Sequence, residues 1–435
     1  MVRLKSVNPE PPRGMRLADY IEEHKPDEAA ERRHLAERKD YRVLEYVDEV
    51  ADRIKYATRD DTVVGSTAPE IFVGRSNYPD VSTGILTPVG AEDRAAEFET
   101  DAGWYDRRLD IESVLQYRSG LLNSSRSTRS NVHDVWDGFV GVQREVAIAD
   151  RPVDVEVGLA ERPDPDLSLD AVRSPTGPRA PAEEAALTEN PHVPRHVEKT
   201  LSDDDWNAEG AMAYLYRRGF DVYGINSILS AGALGRTDQR RLVPTRWSIT
   251  AVDDTLGQYL RGRIRNAPSI EEVQVWVNEY VGNRYWVVLA PGRWEYEFLE
   301  MKSPGSVWNP DPAGNLWMAS AHEGYEGRSD YVEETAGAYY AARLGVLEHL
   351  ADRDRQAKVL VLREVSEEYW APVGVWQIRE SVRNAFDGEC GEAETFGDAV
   401  AAVLPELPVS RTDLRRKSHL LSGMQASLSD FAATP

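Results

Sequence analysis

The chain has 435 residues, with 51 Lys plus Arg against 74 Asp plus Glu and a formal net charge of −23 at pH 7. Its single cysteine, Cys390, cannot form an intramolecular disulfide or a thiolate-rich metal site, which excludes a disulfide scaffold, a zinc ribbon and an iron–sulfur cluster. No apolar run approaches the roughly 18 residues that span a bilayer, so we expect a cytoplasmic location and no membrane partner.

Lysine is rare, since only 8 of the 51 basic residues are lysine. An acidic, arginine-rich composition is typical of a halophilic protein that stays soluble in a salty cytoplasm, where salt screens self-repulsion. The net charge therefore does not argue against nucleic-acid binding, and only local basic clusters are informative.

The first half of the chain predicts both helices and strands. Residues 28–56 carry apolar side chains at Leu44, Val47, Val50 and Ile54, with spacings of three and four, which indicates an amphipathic helix. Asp110 is placed to cap a second helix, and the alternation over 153–159 predicts a strand with one buried face. Seven prolines interrupt residues 162–194, for which we predict a long surface excursion.

The second half begins with a helix predicted from Ser202 to Gly219, and the pair Thr250 and Asp253 predicts a capping box for a later helix. Apolar residues alternate from Val273 to Met301, and two turn sequences divide this stretch into three parts. The pattern predicts a three-stranded antiparallel meander. Beyond it the pattern predicts a helix over 331–350 and strands over 359–365 and 373–378.

Together these elements predict an α+β fold with an antiparallel β meander, packed helices, two regions and a flexible C-terminal tail. We place an N-terminal helical segment at 1–64 and a first region at 65–302. A Pro- and Gly-rich break at Ser303–Asn315 opens a second region at 303–404, and a basic tail covers 405–435.

The tail contains Gln425, Leu428 and Phe431 within the last eleven residues. In one 3₁₀ turn, side chains three residues apart project from the same side, so Leu428 and Phe431 form a two-pronged plug beside the glutamine amide. This spacing is the core of the peptide (PIP motif) that binds the DNA polymerase sliding clamp (PCNA). Ala432 stands where the full motif has a second aromatic residue, which predicts a weaker, micromolar contact. A terminus folded back on its own domain is the alternative.

Six arginines form the strongest local basic stretch, with a net charge of +4 against Asp221 and Asp238. Guanidinium groups can bind DNA phosphates through paired hydrogen bonds, or they can pair with surface carboxylates, and both interpretations stay open. The six are Arg217, Arg218, Arg236, Arg240, Arg241 and Arg246.

One enzymatic alternative is a Mg²⁺-dependent nuclease that uses Glu300 and Lys302, with Asp254 as a third group. Glu295 and Glu297 beside them are predicted to face solvent. No other set of residues has a catalytic pattern. Among the eight histidines, His192 and His196 have the i, i+4 spacing of ligands on a helix, but the prolines at 191 and 194 disfavour that helix. We therefore predict no catalytic residue, metal site or cofactor.

Several segments resemble the archaeal Nre family of DNA-repair proteins, most closely its NreA branch. They are Ile71–Pro79 (IFVGRSNYP), Pro152–Val157 (PVDVEV), Glu189–Lys199 (ENPHVPRHVEK), Leu242–Asp254 (LVPTRWSITAVDD) and Ser303–Trp308 (SPGSVW). The resemblance implies a role in repair of DNA damage together with nucleotide-excision proteins of the UvrABC type, and recruitment by the sliding clamp. It supplies no active site, and an adaptor that does not touch DNA is the remaining alternative.

Overall fold

The computed structural model describes residues 46–133, 135–163, 177–311 and 313–422. These residues form helices and two six-stranded sheets, which confirms the α+β class. They divide into two compact units: the first contains 46–259 and 371–376, and the second contains 260–370 and 377–422. In the ranges described, no helix is both long enough and apolar enough to cross a lipid bilayer.

The first unit contains six strands and most of eight helices. The strands are β1 (Thr62–Ser66), β2 (Ile71–Val73), β3 (Asp80–Thr87), β4 (Leu122–Arg129), β5 (Asp154–Leu159) and β6 (Arg179–Leu187). The helices are α1 (Tyr46–Ala57), α2 (Gly103–Asp106), α3 (Ile111–Ser119), α4 (Gly138–Ile148), α5 (Arg195–Ser202), α6 (Ala208–Arg217), α7 (Val222–Ser230) and α8 (Thr245–Ile264), the last of which continues into the second unit. Short 3₁₀ helices lie at Glu92–Phe98 and Thr237–Gln239.

The first sheet has the order β1-β5-β6-β4-β3-β2, and all neighbours are antiparallel except β4 and β6. Helix α4 packs on β6 and β3 and contacts α7. Within the described residues, the helix predicted over 28–56 is confirmed by α1, where Val50 and Ile54 are buried, and the strand over 153–159 is confirmed by β5. Asp110 caps α3, as predicted, by accepting a hydrogen bond from the Ser113 amide.

Two expectations for this unit are wrong. The surface excursion predicted over 162–194 contains strand β6. Pro181 lies within this strand, and the residues on either side of it still pair with β4 and β5. The predicted capping box at Thr250 and Asp253 lies inside α8, which begins five residues earlier, after Pro244. Asp253 is fully buried there, so local sequence pattern misplaced the helix start.

The second unit contains the other six strands and five helices, in addition to the end of α8. The strands are β7 (Val273–Tyr280), β8 (Asn283–Ala290), β9 (Glu295–Lys302), β10 (Trp317–Glu323), β11 (Lys358–Val365) and β12 (Gly391–Ala393). The helices are α9 (Ala336–Asp352), α10 (Trp376–Ala385), α11 (Phe396–Val403), α12 (Arg411–Lys417) and α13 (His419–Ser422), with a 3₁₀ helix at Leu404–Glu406.

The second sheet has the order β10-β9-β11-β8-β7-β12. The three strands predicted between Val273 and Met301 are present, and β7 and β8 form the expected hairpin. The predicted pairing of β8 with β9 is wrong. Strand β11 lies between them, antiparallel to β8 and parallel to β9. Both β8 and β11 are almost entirely buried, so each needs a partner on both edges, and a strand distant in sequence supplies one.

The C-terminal helices cover one face of this sheet. Helices α11 to α13 place Val400, Leu414 and Leu421 against sheet residues such as Trp286 and Leu299. The tail predicted from residue 405 is thus folded as far as residue 422. The strand predicted over 373–378 is also wrong, since α10 begins at Trp376.

Candidate functional site

The arginine stretch surrounds the end of α6, helix α7 and the loop that leads to α8. Gly219 ends α6 with a positive φ of 86°, as its position in the sequence predicted, but the predicted start is wrong, because α5 ends at Ser202 and α6 begins at Ala208. Five of the six arginines are exposed, namely Arg217, Arg218, Arg236, Arg241 and Arg246. Arg217 donates to the Ala213 carbonyl of its own helix, and Arg218 lies over the Tyr214 ring.

Arg240 is the exception, because it is buried. Its guanidinium donates to the carbonyl oxygens of Gly235 at 3.0 Å and Leu201 at 2.7 Å. A group used in this way holds the loop together and cannot reach a phosphate. We therefore correct the sequence prediction by withdrawing Arg240 from the proposed DNA contacts.

An open cavity of about 500 Å³ lies beside this loop, lined by His133, Asp204, Arg236, Thr237 and Asp238. The Asp204 carboxylate accepts hydrogen bonds from the Thr237 amide and hydroxyl, and these bonds lower the pKa of Asp204. His133 Nδ1 lies 3.1 Å from the Thr237 carbonyl oxygen. The polar groups of Thr237 thus fix one wall of the cavity.

A buried arginine outside the predicted set holds this wall in place. Arg144 of α4 is fully buried, and its guanidinium donates to the carbonyls of Val132 at 3.2 Å, Ala231 at 3.1 Å and Gly232 at 3.1 Å. These carbonyls belong to the two segments that carry His133 and Arg236. A charged donor with several carbonyl acceptors fixes backbone position strongly, so the cavity is preformed.

Arg236 and Arg241 are the best placed to bind an external anion. Within the described ranges, neither side chain makes an ion pair or a hydrogen bond, and both are exposed. Phosphate oxygens are the natural partners of such guanidinium groups, because a planar fork donates two parallel hydrogen bonds. Arg236, which lines the cavity, is therefore placed to meet an anion at the cavity edge.

The nuclease alternative depends on Glu300, which is buried on β9. Arg363 on the neighbouring strand donates to its Oε2 at 2.5 Å, and Lys302 Nζ lies 3.6 Å from Oε1. Arg363 also donates to Asn283 Oδ1. Asp254 accepts from Gln258 one turn along α8. A carboxylate held by a buried guanidinium is a structural ion pair, so the geometry does not favour this alternative.

Glu297, predicted to face solvent, is fully buried, and that prediction is wrong. Its carboxylate accepts from the Ser418 hydroxyl at 2.7 Å, the His419 amide at 2.7 Å and the Leu420 amide at 2.9 Å. Ser320 on β10 donates to the Lys417 carbonyl at 3.0 Å. Glu297 thus fixes the start of α13 to the sheet through a charged acceptor at a helix N-terminus.

Glu295, the other carboxylate predicted to face solvent, is half-buried. Burial raises its pKa, but hydrogen bonds from Lys358 and His322 outweigh that effect and hold the pKa below its usual value. The carboxylate oxygens lie 3.1 Å from Lys358 Nζ and 3.1 Å from His322 Nε2. Glu295 is therefore ionised at neutral pH.

The clamp-binding residues Gln425, Leu428, Phe431 and Ala432 lie outside the described residues. Only two residues separate Gln425 from Ser422, so covalent geometry keeps their Cα atoms within about 11 Å of each other. The position of Ser422 is set by the contacts of Glu297 and by burial of Leu421.

One acidic residue of the first unit was missed by the sequence analysis. Burial, together with the nearby charges of Glu70 and Asp221, raises the pKa of Glu99 to about 8. Residues 70, 99 and 221 share no local pattern, so only the fold could bring them together. A carboxyl group that titrates near neutral pH occurs at functional sites and also in buried acid clusters.

The described residues thus form an α+β protein of two units, with an arginine-edged cavity in the first and a firmly anchored C-terminal segment in the second. The chain belongs to the archaeal Nre family: the family's N-terminal model, "Archaeal Nre, N-terminal", matches residues 35–309, and its C-terminal model, "Archaeal Nre, C-terminal", matches residues 323–431.

Three relatives are similar to this chain over most of their length. "DNA repair protein NreA" of Haloferax volcanii is 62% identical over 421 residues, which cover 96% of this chain and 100% of the relative. "DNA repair protein NreA" of Archaeoglobus fulgidus is 36% identical over 86% of this chain and 90% of the relative. "DNA repair protein NreB" of the same organism is 36% identical over 78% and 84%. No solved structure matches the chain significantly.

Proposed function

We propose that this protein acts in the repair of DNA damage and is brought to DNA by the sliding clamp (PCNA). The terminal spacing of Gln425, Leu428 and Phe431 carries the proposal. Two findings support it: three relatives are named DNA repair proteins, and the family's C-terminal match extends to residue 431, so it includes these three residues. The family resemblance further suggests that nucleotide-excision proteins of the UvrABC type act with it.

The anchored α13 helps explain how a weak contact can serve recruitment. Because Gln425 stays within about 11 Å of Ser422, a clamp bound to the peptide lies next to the second unit and not at the end of a long tether. A short connection raises the effective concentration of any further contact between clamp and protein. Such contacts offset the missing second aromatic at Ala432.

Replacing the plug tests the clamp contact. In full-length protein, L428A/F431A is expected to weaken binding to the clamp of the same organism at least about tenfold, since two apolar side chains leave a groove. A432F is expected to tighten binding about tenfold, because it restores the second aromatic. Isothermal titration with the clamp measures both, with S429A as a control inside the motif. Equal affinities for L428A/F431A and S429A would rule out the plug.

We also propose that the exposed arginines bind the DNA phosphate backbone, as the first unit's contribution to repair. Arg236 and Arg241 support this best, since both are exposed and lack an internal partner among the described residues, and Arg236 also lines a preformed cavity. Such contacts give affinity without sequence specificity, which suits a protein that meets damage at arbitrary sequences.

Salt-dependent DNA binding tests this contact and separates a DNA binder from a pure adaptor. R236A/R241A is expected to reduce the slope of log affinity against log salt by about 2, because two phosphate contacts are lost. R59A/R162A removes the same charge from two exposed arginines that already pair with Asp60 and Asp61, and it serves as the control. Fluorescence anisotropy with branched DNA measures both. If the wild-type protein fails to bind DNA at low salt, the adaptor interpretation is correct.

A further inference from the structure

Two histidines and a glutamate meet where the C-terminal helices join the second sheet. Glu295 is on β9, His322 is on β10 and His419 begins α13. One oxygen or nitrogen atom from each of the three lies within 4.8 Å of the others. Glu295 and His322 are half-buried, and His419 is exposed.

The pairing of the strands puts these side chains on one face. His322 is opposite Glu297 in the antiparallel pair of β10 and β9, and Glu295 is two residues from Glu297. Residues two apart on a strand share a face, so Glu295 and His322 point to the side that carries α13. The Glu297 contacts to the His419 and Leu420 amides then fix the backbone of His419 beside them.

The two imidazole rings stack on each other beside the glutamate. Their ring centroids are 3.9 Å apart with an interplanar angle of 28°, and His322 Nε2 lies 3.1 Å from a Glu295 oxygen. The site therefore brings two imidazole rings and a carboxylate together, and both group types can act as metal ligands.

We propose that Glu295, His322 and His419 bind a divalent transition-metal ion, with Zn²⁺ as the best match. Two imidazoles and one carboxylate are a donor set that Zn²⁺ binds at about 2.0–2.2 Å. Tetrahedral geometry places such donors about 3.3 Å apart, so the side chains must close by about 1.5 Å at most. An exposed His419 ring and a half-buried Glu295 can make this movement by side-chain rotation.

One neighbouring charge opposes the ion and helps to test the site. Lys358 Nζ is 3.1 Å from Glu295 Oε2, and its charge competes with a bound cation. Glu297, fully buried behind the site, adds a second negative charge that favours a cation. Removal of the lysine charge is therefore expected to strengthen metal binding.

A metal ion here would connect α13 to two strands at the root of the clamp peptide. It would add its binding free energy to the stability of the folded segment. No sequence pattern indicates such a site, because the three residues are separated by 27 and 97 positions and match no ligand motif.

Titration of tag-free, full-length protein with ZnCl₂ tests the site. We expect one ion to bind per chain, and H322Q and H419Q each to lower the affinity at least about tenfold. K358Q is expected to raise it several-fold. H192Q is the matched control, because His192 also lies against a carboxylate, at 2.8 Å from Asp150, but without a second histidine.

Hydrogen exchange gives a second measurement, which does not depend on the variants' stability. Zn²⁺ is expected to slow exchange of the amides in residues 418–422 of the wild-type protein and to leave H419Q unchanged. If the wild-type protein binds no stoichiometric Zn²⁺ at 100-fold molar excess, or if H322Q and H419Q bind it as tightly as H192Q does, the site does not exist.

Discussion

Replacing Glu297 with alanine is expected to release the C-terminal segment from the second sheet. The buried carboxylate accepts hydrogen bonds from Ser418, His419 and Leu420, and the change leaves all three donors without their acceptor. Hydrogen bonds to a charged acceptor contribute about 1.5–3 kcal/mol each, but water reaches the exposed donors after the change. We expect the free energy of unfolding to fall by about 3 kcal/mol.

Hydrogen exchange separates this effect from a general loss of stability. The amides of His419 and Leu420 are expected to exchange at least about tenfold faster in E297A, because their shared acceptor is gone. E297Q keeps one carbonyl oxygen, so its exchange rates at these amides should lie between those of E297A and of the wild type. E279A is the control, since Glu279 is an exposed glutamate of the same sheet. Unchanged exchange at residues 419 and 420 would contradict the role assigned to Glu297.

Replacing Glu323 with alanine is expected to lower the free energy of unfolding more than replacing Glu297 does. Glu323 and Arg343 form an ion pair at 2.8 Å, and their side chains are 0% and 3% exposed. The carboxylate also accepts from Trp294 Nε1 at 2.9 Å and from the Tyr339 hydroxyl at 3.0 Å. Without Glu323, the Arg343 charge stays buried and uncompensated, which typically costs about 3–5 kcal/mol.

A double variant tests whether the loss comes from the isolated charge. E323L/R343M removes both charges and keeps similar volume, so it should recover most of the stability lost in E323A. Urea unfolding of E323L, R343M and E323L/R343M gives the coupling free energy between the two side chains. The exposed pair of Arg265 and Glu326, at 2.6 Å, serves as the control, and R265M should change stability little. If E323L/R343M is less stable than E323A, the explanation by an uncompensated charge is wrong.

The sequence alone determined those features that depend on neighbouring residues. The amphipathic stripe of α1, the Asp110 cap, the Gly219 helix end and the hairpin of β7 and β8 follow from local periodicity and turn chemistry, and the structure contains all four. The five segments that resemble the Nre family are also local features of the sequence, and the matches to the two family models confirm the family that these segments indicated. The clamp peptide belongs to the same class and stays a prediction.

Tertiary structure alone decided the features that need residues distant in the chain. Strand β11 enters the sheet between β8 and β9 because two buried strands each need partners on both edges, and no local pattern encodes that choice. Glu297 looked solvent-facing because it is a charged residue on an alternating strand, but it is buried as the acceptor for a segment more than 120 residues away. Arg240 was predicted to contact phosphate because it belongs to a basic stretch, but it is buried and donates to the backbone carbonyls of Gly235 and Leu201.

The physical reason is that a charged side chain has no fixed environment until the fold supplies its neighbours. Apolar periodicity predicts a buried face, because burial of apolar surface is favourable against any apolar partner. A carboxylate or guanidinium can be exposed, or it can be buried with a hydrogen-bonding partner, and the partner is often remote in sequence. The sequence therefore defined helices, turns and family, whereas the fold decided what Glu295, Glu297, Glu300 and Arg240 do.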